Sequence, residues 1–397
     1  MPGARRPNQK RAGGGKGVTT QQVVAPEYLF FEAERERQFM TGSEAVAEAV
    51  KRANIDMAIS YPITPQSESM HLVGDLYAKG YLKEYFRGES EFAVMAAVAG
   101  AAMGGVRVFT ATGGPGTLRA FEMFPTWAGA RLPIVCAFLT RAVNAPLSIQ
   151  PDTLEMAFML DTGILMFHAE NAQDLYDMVL KAFVVAEQTD VHIPVGVFAD
   201  GFFVTHTREQ VAVAPADLKL PPYNPYYAPV PVMDMENVPV RQMRDPFVMK
   251  SNFISYAAHA SWQQEILAAQ ERARKHVRRY LGDLLDTEHA EAPVLVMAAG
   301  TAVSQSREAV AAARREGLEV GLVKLKSLRP FPREEVRVLA RQARALIVPE
   351  FNRVGWLSRE IKSVVEDTTK VIDGPRVFGG MTMPPELILA QIRRCYA

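Results

Sequence analysis

Residues 106–141 read VRVFTATGGPGTLRAFEMFPTWAGARLPIVCAFLTR. Val106–Thr110 is a short strand pattern, and Thr112-Gly113-Gly114-Pro115-Gly116 ends it, because Gly and Pro punctuate regular structure. Thr117–Ala130 has helical composition. Leu132–Leu139 (LPIVCAFL) is almost wholly apolar, as in a strand buried on both faces of a parallel sheet. Strand, turn, helix and strand in this order predict an α/β sheet covered by helices on both faces.

The same alternation extends in both directions. Upstream, Ser43–Ala53 forms an amphipathic helix pattern with Ser43 as its expected N-cap. Asp56–Ser60 is a strand stopped by Tyr61-Pro62-Ile63-Thr64-Pro65. A short strand is expected near Tyr85, and Glu91–Met103 reads as a buried helix. Downstream come a helix near Ala172–Glu187 and a strand near Ile193–Phe198. Eight prolines then fall between Pro215 and Pro246, a density that excludes a central strand or a long helix. A long helix follows over Ala257–Leu285, charged around Glu271–Arg279. The last hundred residues repeat the α/β pattern, with strands at Ala292–Ala299, Val320–Leu325 and Ala343–Val348. The helix Ala302–Glu316 lies between the first two, with Gly317 as its expected C′ residue. The expected division is a basic tail and lead-in (1–38), a first α/β domain (39–213), a Pro-rich arm with the long helix (214–290) and a second α/β domain (291–397).

The chain has 397 residues, with 44 Lys plus Arg balanced by 44 Asp plus Glu. That balance argues against general nucleic-acid binding, which needs excess cations. Cys136 and Cys395 are the only cysteines, too few for a disulfide framework, a four-thiolate zinc site or an iron–sulfur cluster. A reducing, cytoplasmic setting is expected, with any redox metal on another chain. The basic start lacks an apolar segment of the secretory type, and no apolar run approaches the roughly 20 residues of a membrane span.

Ligands of open parallel sheets bind outside the carboxyl ends of the strands. If the strands are parallel, the loops that follow them place Thr64, Glu89 and Glu91, the TGGPG turn and Arg141 on one rim. Glu91 opens a helix with no other charged side chain, and Val94, Met95 and Val98 share its face. A carboxylate there either serves a ligand or caps its own helix, which the helix dipole favours. Glu89 is the competing carboxylate. Arg141 could clamp a substrate carboxylate or form a surface ion pair. Thr64 offers a hydroxyl fixed between two prolines, or is a plain turn residue. The TGGPG turn lacks the lysine of a P-loop and the GxGxxG order. No histidine has metal-ligand spacing.

With these residues in place, the chain resembles the α subunit of 2-oxoacid:ferredoxin oxidoreductases. The resemblance is carried by YPITP (61–65), ESE (89–91), FTATGGPGTL (109–118), RLPIVCAFLTRA (131–142), FADGFFVTHT (198–207), KLKSLRPFP (324–332) and Gly379-Gly380. It implies a thiamine-pyrimidine-binding parallel-sheet domain followed by a transketolase C-terminal-like domain. It implies that Glu91 bonds N1′ of the thiamine aminopyrimidine and so promotes its acid–base chemistry. It further implies Thr64 and Arg141 as substrate contacts, with Tyr61, Pro62, Thr112, Gly113 and Gly114 beside the cofactor. The reaction implied converts a 2-oxoacid and coenzyme A to acyl-CoA, CO2 and low-potential electrons.

The resemblance also implies a division of labour. A thiamine diphosphate magnesium site needs Gly-Asp-Gly with a later Asn, and Asp200-Gly201 is preceded by Ala199. Magnesium is therefore expected on a β subunit, and iron–sulfur clusters on a ferredoxin-like subunit. A γ subunit and an electron-transfer flavoprotein subunit are further expected partners. Pyruvate-type sequences carry an acidic, aromatic stretch after the arginine. Here the corresponding Ser148-Ile149-Gln150-Pro151-Asp152-Thr153-Leu154 lacks the bulky aromatic or His. The expected substrate is phenylglyoxylate or another bulky 2-oxoacid, with pyruvate as the alternative. Two other classes stay open: a cluster-free thiamine-dependent dehydrogenase or transketolase subunit, and a noncatalytic α/β binding protein.

Overall fold

The computed structural model describes residues 31–224 and 256–397, except 32, 145 and 217. The basic tail and most of the Pro-rich arm lie outside the described residues. In chain order the first domain comprises β1 (Glu36–Thr41), α1 (Gly42–Arg52), β2 (Met57–Ser60), α2 (Gln66–Ala78), β3 (Glu84–Arg87) and α3 (Glu91–Met103). It continues with β4 (Val108–Thr112), α4 (Pro115–Arg119), α5 (Met123–Gly129), β5 (Val135–Thr140), α6 (Leu154–Met159), β6 (Leu165–Ala169), α7 (Ala172–Ala186), β7 (Val195–Asp200) and β8 (Arg208–Val213). The long helix α8 (Tyr256–Leu281) leads into β9 (Leu285–Glu288), β10 (Val294–Ala298), α9 (Ala302–Arg315), β11 (Val320–Leu325) and β12 (Ser327–Arg329). The chain closes with α10 (Arg333–Gln342), β13 (Ala345–Glu350), α11 (Trp356–Lys362), β14 (Val371–Arg376) and α12 (Pro385–Arg394).

The α/β expectation holds. A seven-stranded sheet runs β12-β6-β7-β5-β4-β2-β3, with every pair parallel except β12 against β6. The central strands β4, β5, β6 and β7 are buried throughout, which is why their sequences do not alternate. One face of the sheet packs α1, α2 and α7 around residues such as Val46, Val73, Phe109 and Val179. The opposite face packs Val94, Met95, Phe124, Trp127 and Phe138 into one apolar cluster with Leu295, Met297, Val323 and Leu328 of the second domain. The two domains therefore share a core. The second sheet runs β14-β13-β10-β11-β9, parallel except for β9, and α9 and α12 cover its far face.

Polar contacts also cross between the domains. Asp200, at the end of β7 and fully buried, accepts from the Thr301 N–H (2.9 Å) and hydroxyl (2.5 Å), and His168 Nε2 lies 3.3 Å away. Buried Glu170 holds Arg307, Lys324 and Ser304. Burial raises the Glu170 pKa, but these three donors outweigh it and hold it at about 2.

Several local expectations are corrected. The N-cap of α1 is Thr41, not Ser43. Thr41 Oγ1 accepts from Glu44 N (3.2 Å) and Glu44 Oε2 accepts from Thr41 N (2.7 Å), a complete capping box. Ser43 sits inside the helix, buried, with its hydroxyl unpartnered. The helix expected over Thr117–Ala130 is two short ones, because Pro125 has no N–H to continue the ladder and its ring crowds the Phe121 carbonyl. Strand β4 starts two residues later than expected and takes in Thr112. Neither the antiparallel pair β1–β8 nor strands β6, β9, β12 and β14 were marked by the sequence pattern.

Candidate active site

Strand order reverses between β2 and β4: the chain moves outward from β2 to β3, then returns to the other side of β2 with β4 and continues to β5 and β7. Such a switch point leaves a crevice at the carboxyl ends of the strands. Three loops meet there: Tyr61–Pro65 after β2, Gly113–Gly114 after β4, and Arg141 after β5. Helix α3 joins them with Glu91 in its first turn, behind a Ser90 N-cap that accepts from Ala93 N.

Glu91 is 5% exposed and its Oε2 makes no hydrogen bond, whereas Glu89 is exposed. The N-cap role falls to Ser90, so capping does not account for the buried Glu91 carboxyl. Its nearest cation is Arg119, whose Nε lies 3.7 Å from Oε2 on a side chain that is itself 64% exposed. Val94, Met95 and Val98 are buried behind it. A Cβ at Gly116 would come within 3.0 Å of Glu91 Oε1 and 2.8 Å of Thr112 Oγ1, so that glycine leaves the carboxyl its room.

Arg141 is 7% exposed and donates from Nη1 to the Thr64 carbonyl (3.0 Å). The contact is to the backbone of Thr64 and leaves its hydroxyl, the expected substrate contact, unused by Arg141. Gly114 has φ +57°, and a Cβ there would lie 2.4 Å from Arg141 Cγ. Only glycine adopts that backbone without strain and lets the arginine stem pass. Burial lowers the Arg141 pKa, opposed by the charges of Glu155 and Glu91. Tyr61 is half-buried and Pro62 exposed in the loop after β2, while Thr112, Gly113 and Gly114 are buried.

Glu155, on α6, is the residue that sequence reasoning missed. It is fully buried, and the Thr117 hydroxyl and Gly114 N–H face its carboxyl without reaching regular hydrogen-bond geometry. Burial pushes its pKa up to about 8; Asp152 adds to this, while Thr117, the Gly114 N–H and Arg141 oppose it. The available signal was a lone Glu in the apolar run LEMAFM, without a cation within the next helical turn. Among the described residues, twelve buried side-chain polar atoms lack partners, and six belong to Glu91, Thr112, Thr117, Arg141 and Glu155. Buried polar groups are normally satisfied, so this concentration marks where a polar ligand belongs. Among the described residues no group of His, Cys, Asp and Glu is arranged to hold a metal, and no helix is long and apolar enough to cross a membrane.

Comparison with known proteins agrees with this architecture. The family model "Pyruvate flavodoxin/ferredoxin oxidoreductase, thiamine diP-bdg" matches residues 48–273, and "Pyruvate:ferredoxin oxidoreductase core domain II" matches residues 292–388. Ketoisovalerate oxidoreductase subunit VorA of Pyrococcus abyssi is 33% identical over 83% of this chain and 85% of its own length. Pyruvate synthase subunit PorA of Methanothermobacter thermautotrophicus is 33% identical over 89% of this chain and 94% of its own. The 2-oxoglutarate:ferredoxin oxidoreductase of Magnetococcus marinus shares the fold, with a TM-score of 0.76 at 20% identity over 91% of this chain; the match spans 65% of that longer chain. A split-gene transketolase superposes with a TM-score of 0.50 at 15% identity, covering 89% of this chain and 95% of its own. The fold is thus a thiamine-pyrimidine-binding domain joined to a transketolase C-terminal-like domain. With two family models spanning most of its length and relatives of one-third identity, the chain belongs to the 2-oxoacid:ferredoxin oxidoreductase family as an α subunit.

Proposed function

We propose that the crevice between β2 and β4 holds the aminopyrimidine of thiamine diphosphate and the carboxylate end of a 2-oxoacid. The observation that carries this reading is the buried Glu91, whose Oε2 accepts no hydrogen bond and meets only the exposed Arg119 at 3.7 Å, among four other side chains with polar atoms that make no hydrogen bond. A carboxyl against the pyrimidine N1′ needs burial, an oxygen not already hydrogen-bonded and an apolar wall, and Glu91 has all three. When bound, thiamine diphosphate supplies the nucleophilic carbon and the electron sink that decarboxylation of a 2-oxoacid requires. The chain's own residues do the rest of the work assigned to it. Glu91 holds or releases a proton at N1′. Arg141 binds the substrate carboxylate from a position fixed by the Thr64 carbonyl. Val94, Met95 and Val98 exclude water. Tyr61, Pro62, Thr112, Gly113 and Gly114 line the cofactor side.

The magnesium and diphosphate end of the cofactor, the iron–sulfur clusters and the electron acceptor belong to partner chains in this reading. Phe92, next to Glu91, is 41% exposed, as suits a site completed by another subunit. Coenzyme A as acyl acceptor is part of the same proposal, supported by the coenzyme A bound in the Magnetococcus marinus enzyme. The printed activities of the relatives concern ketoisovalerate and pyruvate. Nothing in them favours phenylglyoxylate, so the proposal stops at a 2-oxoacid whose side chain faces the Ser148–Thr153 loop.

The decisive experiment is Glu91→Gln in the native complex, reading C2 proton exchange on the bound cofactor together with turnover against a panel of 2-oxoacids with CoA. Exchange and turnover should both fall by about 10²–10⁴. Unchanged exchange would mean that another carboxylate serves the ring.

A further inference from the structure

The Ser148–Thr153 loop is held on one side by the second domain and on the other by the backbone of Ala142, the residue after Arg141. Thr153 N donates to the Phe351 carbonyl (2.8 Å), and Thr153 Oγ1 accepts from Asn352 Nδ2 (3.2 Å) and Trp356 Nε1 (3.2 Å). The Gly379 N–H donates to Asp152 Oδ2 (3.3 Å). Gly380 lies against Gln150 so closely that a Cβ on it would come within 1.9 Å of Gln150 Cβ and 2.5 Å of Cγ. On the far side, the Gln150 carbonyl accepts from Ala142 N (2.9 Å), the residue after Arg141. Arg141 in turn donates to the Thr64 carbonyl. An unbroken run of contacts therefore leads from the Gly379–Gly380 turn through Gln150 to Arg141 and Thr64.

We infer that the Gly379–Gly380 turn is a positioning element for substrate binding: it seats Gln150, and through it the second domain sets the space for the 2-oxoacid side chain and the placement of Arg141. This rests on the functional reading given above. It assigns the second domain a part in substrate selection, rather than packing alone. The physical basis is that a loop pinned at both ends transmits a displacement at one end to the other, and small misplacements of a charge clamp are costly.

The test uses the native complex. Gly380→Ala should raise the KM for the 2-oxoacid about tenfold, leave kcat within about threefold, and hardly move the KM for CoA. The preference between a branched and a methyl 2-oxoacid should change, and amide hydrogen exchange over residues 146–153 should speed up. Gly380 has φ +89°, so alanine also brings backbone strain. Gly317→Ala isolates that effect: its φ is +83°, it lies in the same domain, and no atom waits within 4 Å of a Cβ. It should leave both KM values unchanged. Adding Gln150→Gly to Gly380→Ala removes the struck side chain but keeps the carbonyl that Ala142 uses, and should return the 2-oxoacid KM to within about threefold of the parent. Equal effects of Gly380→Ala and Gly317→Ala, a loss of kcat at constant KM, or failure of the Gln150→Gly rescue would each overturn the inference. Arg141→Ala without effect on the 2-oxoacid KM would instead overturn the functional reading beneath it, while faster loop exchange in Gly380→Ala would still report the contact itself.

Discussion

Burial drives a carboxyl toward its protonated form, and Glu155 is fully buried. Its folded pKa of about 8 lies above the ordinary value of 4.5, so the folded chain binds the extra proton between those limits. The stability this contributes is fully present below about pH 4.5 and is lost as pH rises toward 8. Glu155→Gln carries no such proton, so its stability should stay flat where the parent's falls. Denaturant unfolding at pH 5.5 and 8 checks this; parallel slopes would show that Glu155 is ionised. With Glu155 neutral, the Arg141 charge is left for a substrate carboxylate. Arg141→Ala should then raise the 2-oxoacid KM at least about tenfold, through a lost charge-assisted pair worth about 2–5 kcal/mol. Arg141→Lys should recover only part of it, because an ammonium lacks the guanidinium fork. Glu91 could be read from the sequence because it heads a helix with no other charge. Glu155 gave only the weaker signal of a lone Glu in LEMAFM, because its burial arises from the packing of α6 under the Gly113–Gly114 turn, far away in the chain.

At the scale of elements, apolar runs gave away the strands buried on both faces: β11 emerges where its composition places it, and β5 starts three residues later than its apolar run because Pro133 interrupts the run. Elements defined by long-range pairing gave no such signal. Strand β1 (ERQFMT) is mostly exposed, and exists because Arg208–Val213 returns to pair with it. The start of α1 shows how close signals mislead: Thr41 and Ser43 are both plausible caps, and the Glu three residues after Thr41 decides between them. Thr41→Ala should cost about 1 kcal/mol by thermal or chemical unfolding. Ser43→Ala should be neutral or slightly stabilising, since it removes a buried hydroxyl that has no partner. A larger loss from Ser43→Ala than from Thr41→Ala would return the cap to Ser43.

For the whole molecule, the sequence showed two α/β halves but not their joint. The halves meet at Asp200, which binds Thr301 across the boundary and sits beside His168. Burial alone would raise the Asp200 pKa, but His168 and Thr301 outweigh it and hold it below the ordinary carboxylate range. Its contribution is therefore present above about pH 4 and lost as pH falls through the lowered value. Asp200→Ala should destabilise the chain by about 3–5 kcal/mol, seen as a lower Tm and faster proteolysis between the domains. The joint also includes β12, which comes from the second domain yet pairs with β6 and finishes the first domain's sheet. That has a bearing on how such subunits can be recombined. A chimaera spliced near residue 290 would hand the first sheet a foreign border strand. A truncation there would leave Leu165–Ala169, buried along its whole length, as a bare apolar border inviting self-association. Substrate-range engineering by domain exchange should therefore move Ser327–Arg329 together with β6, or leave both in place.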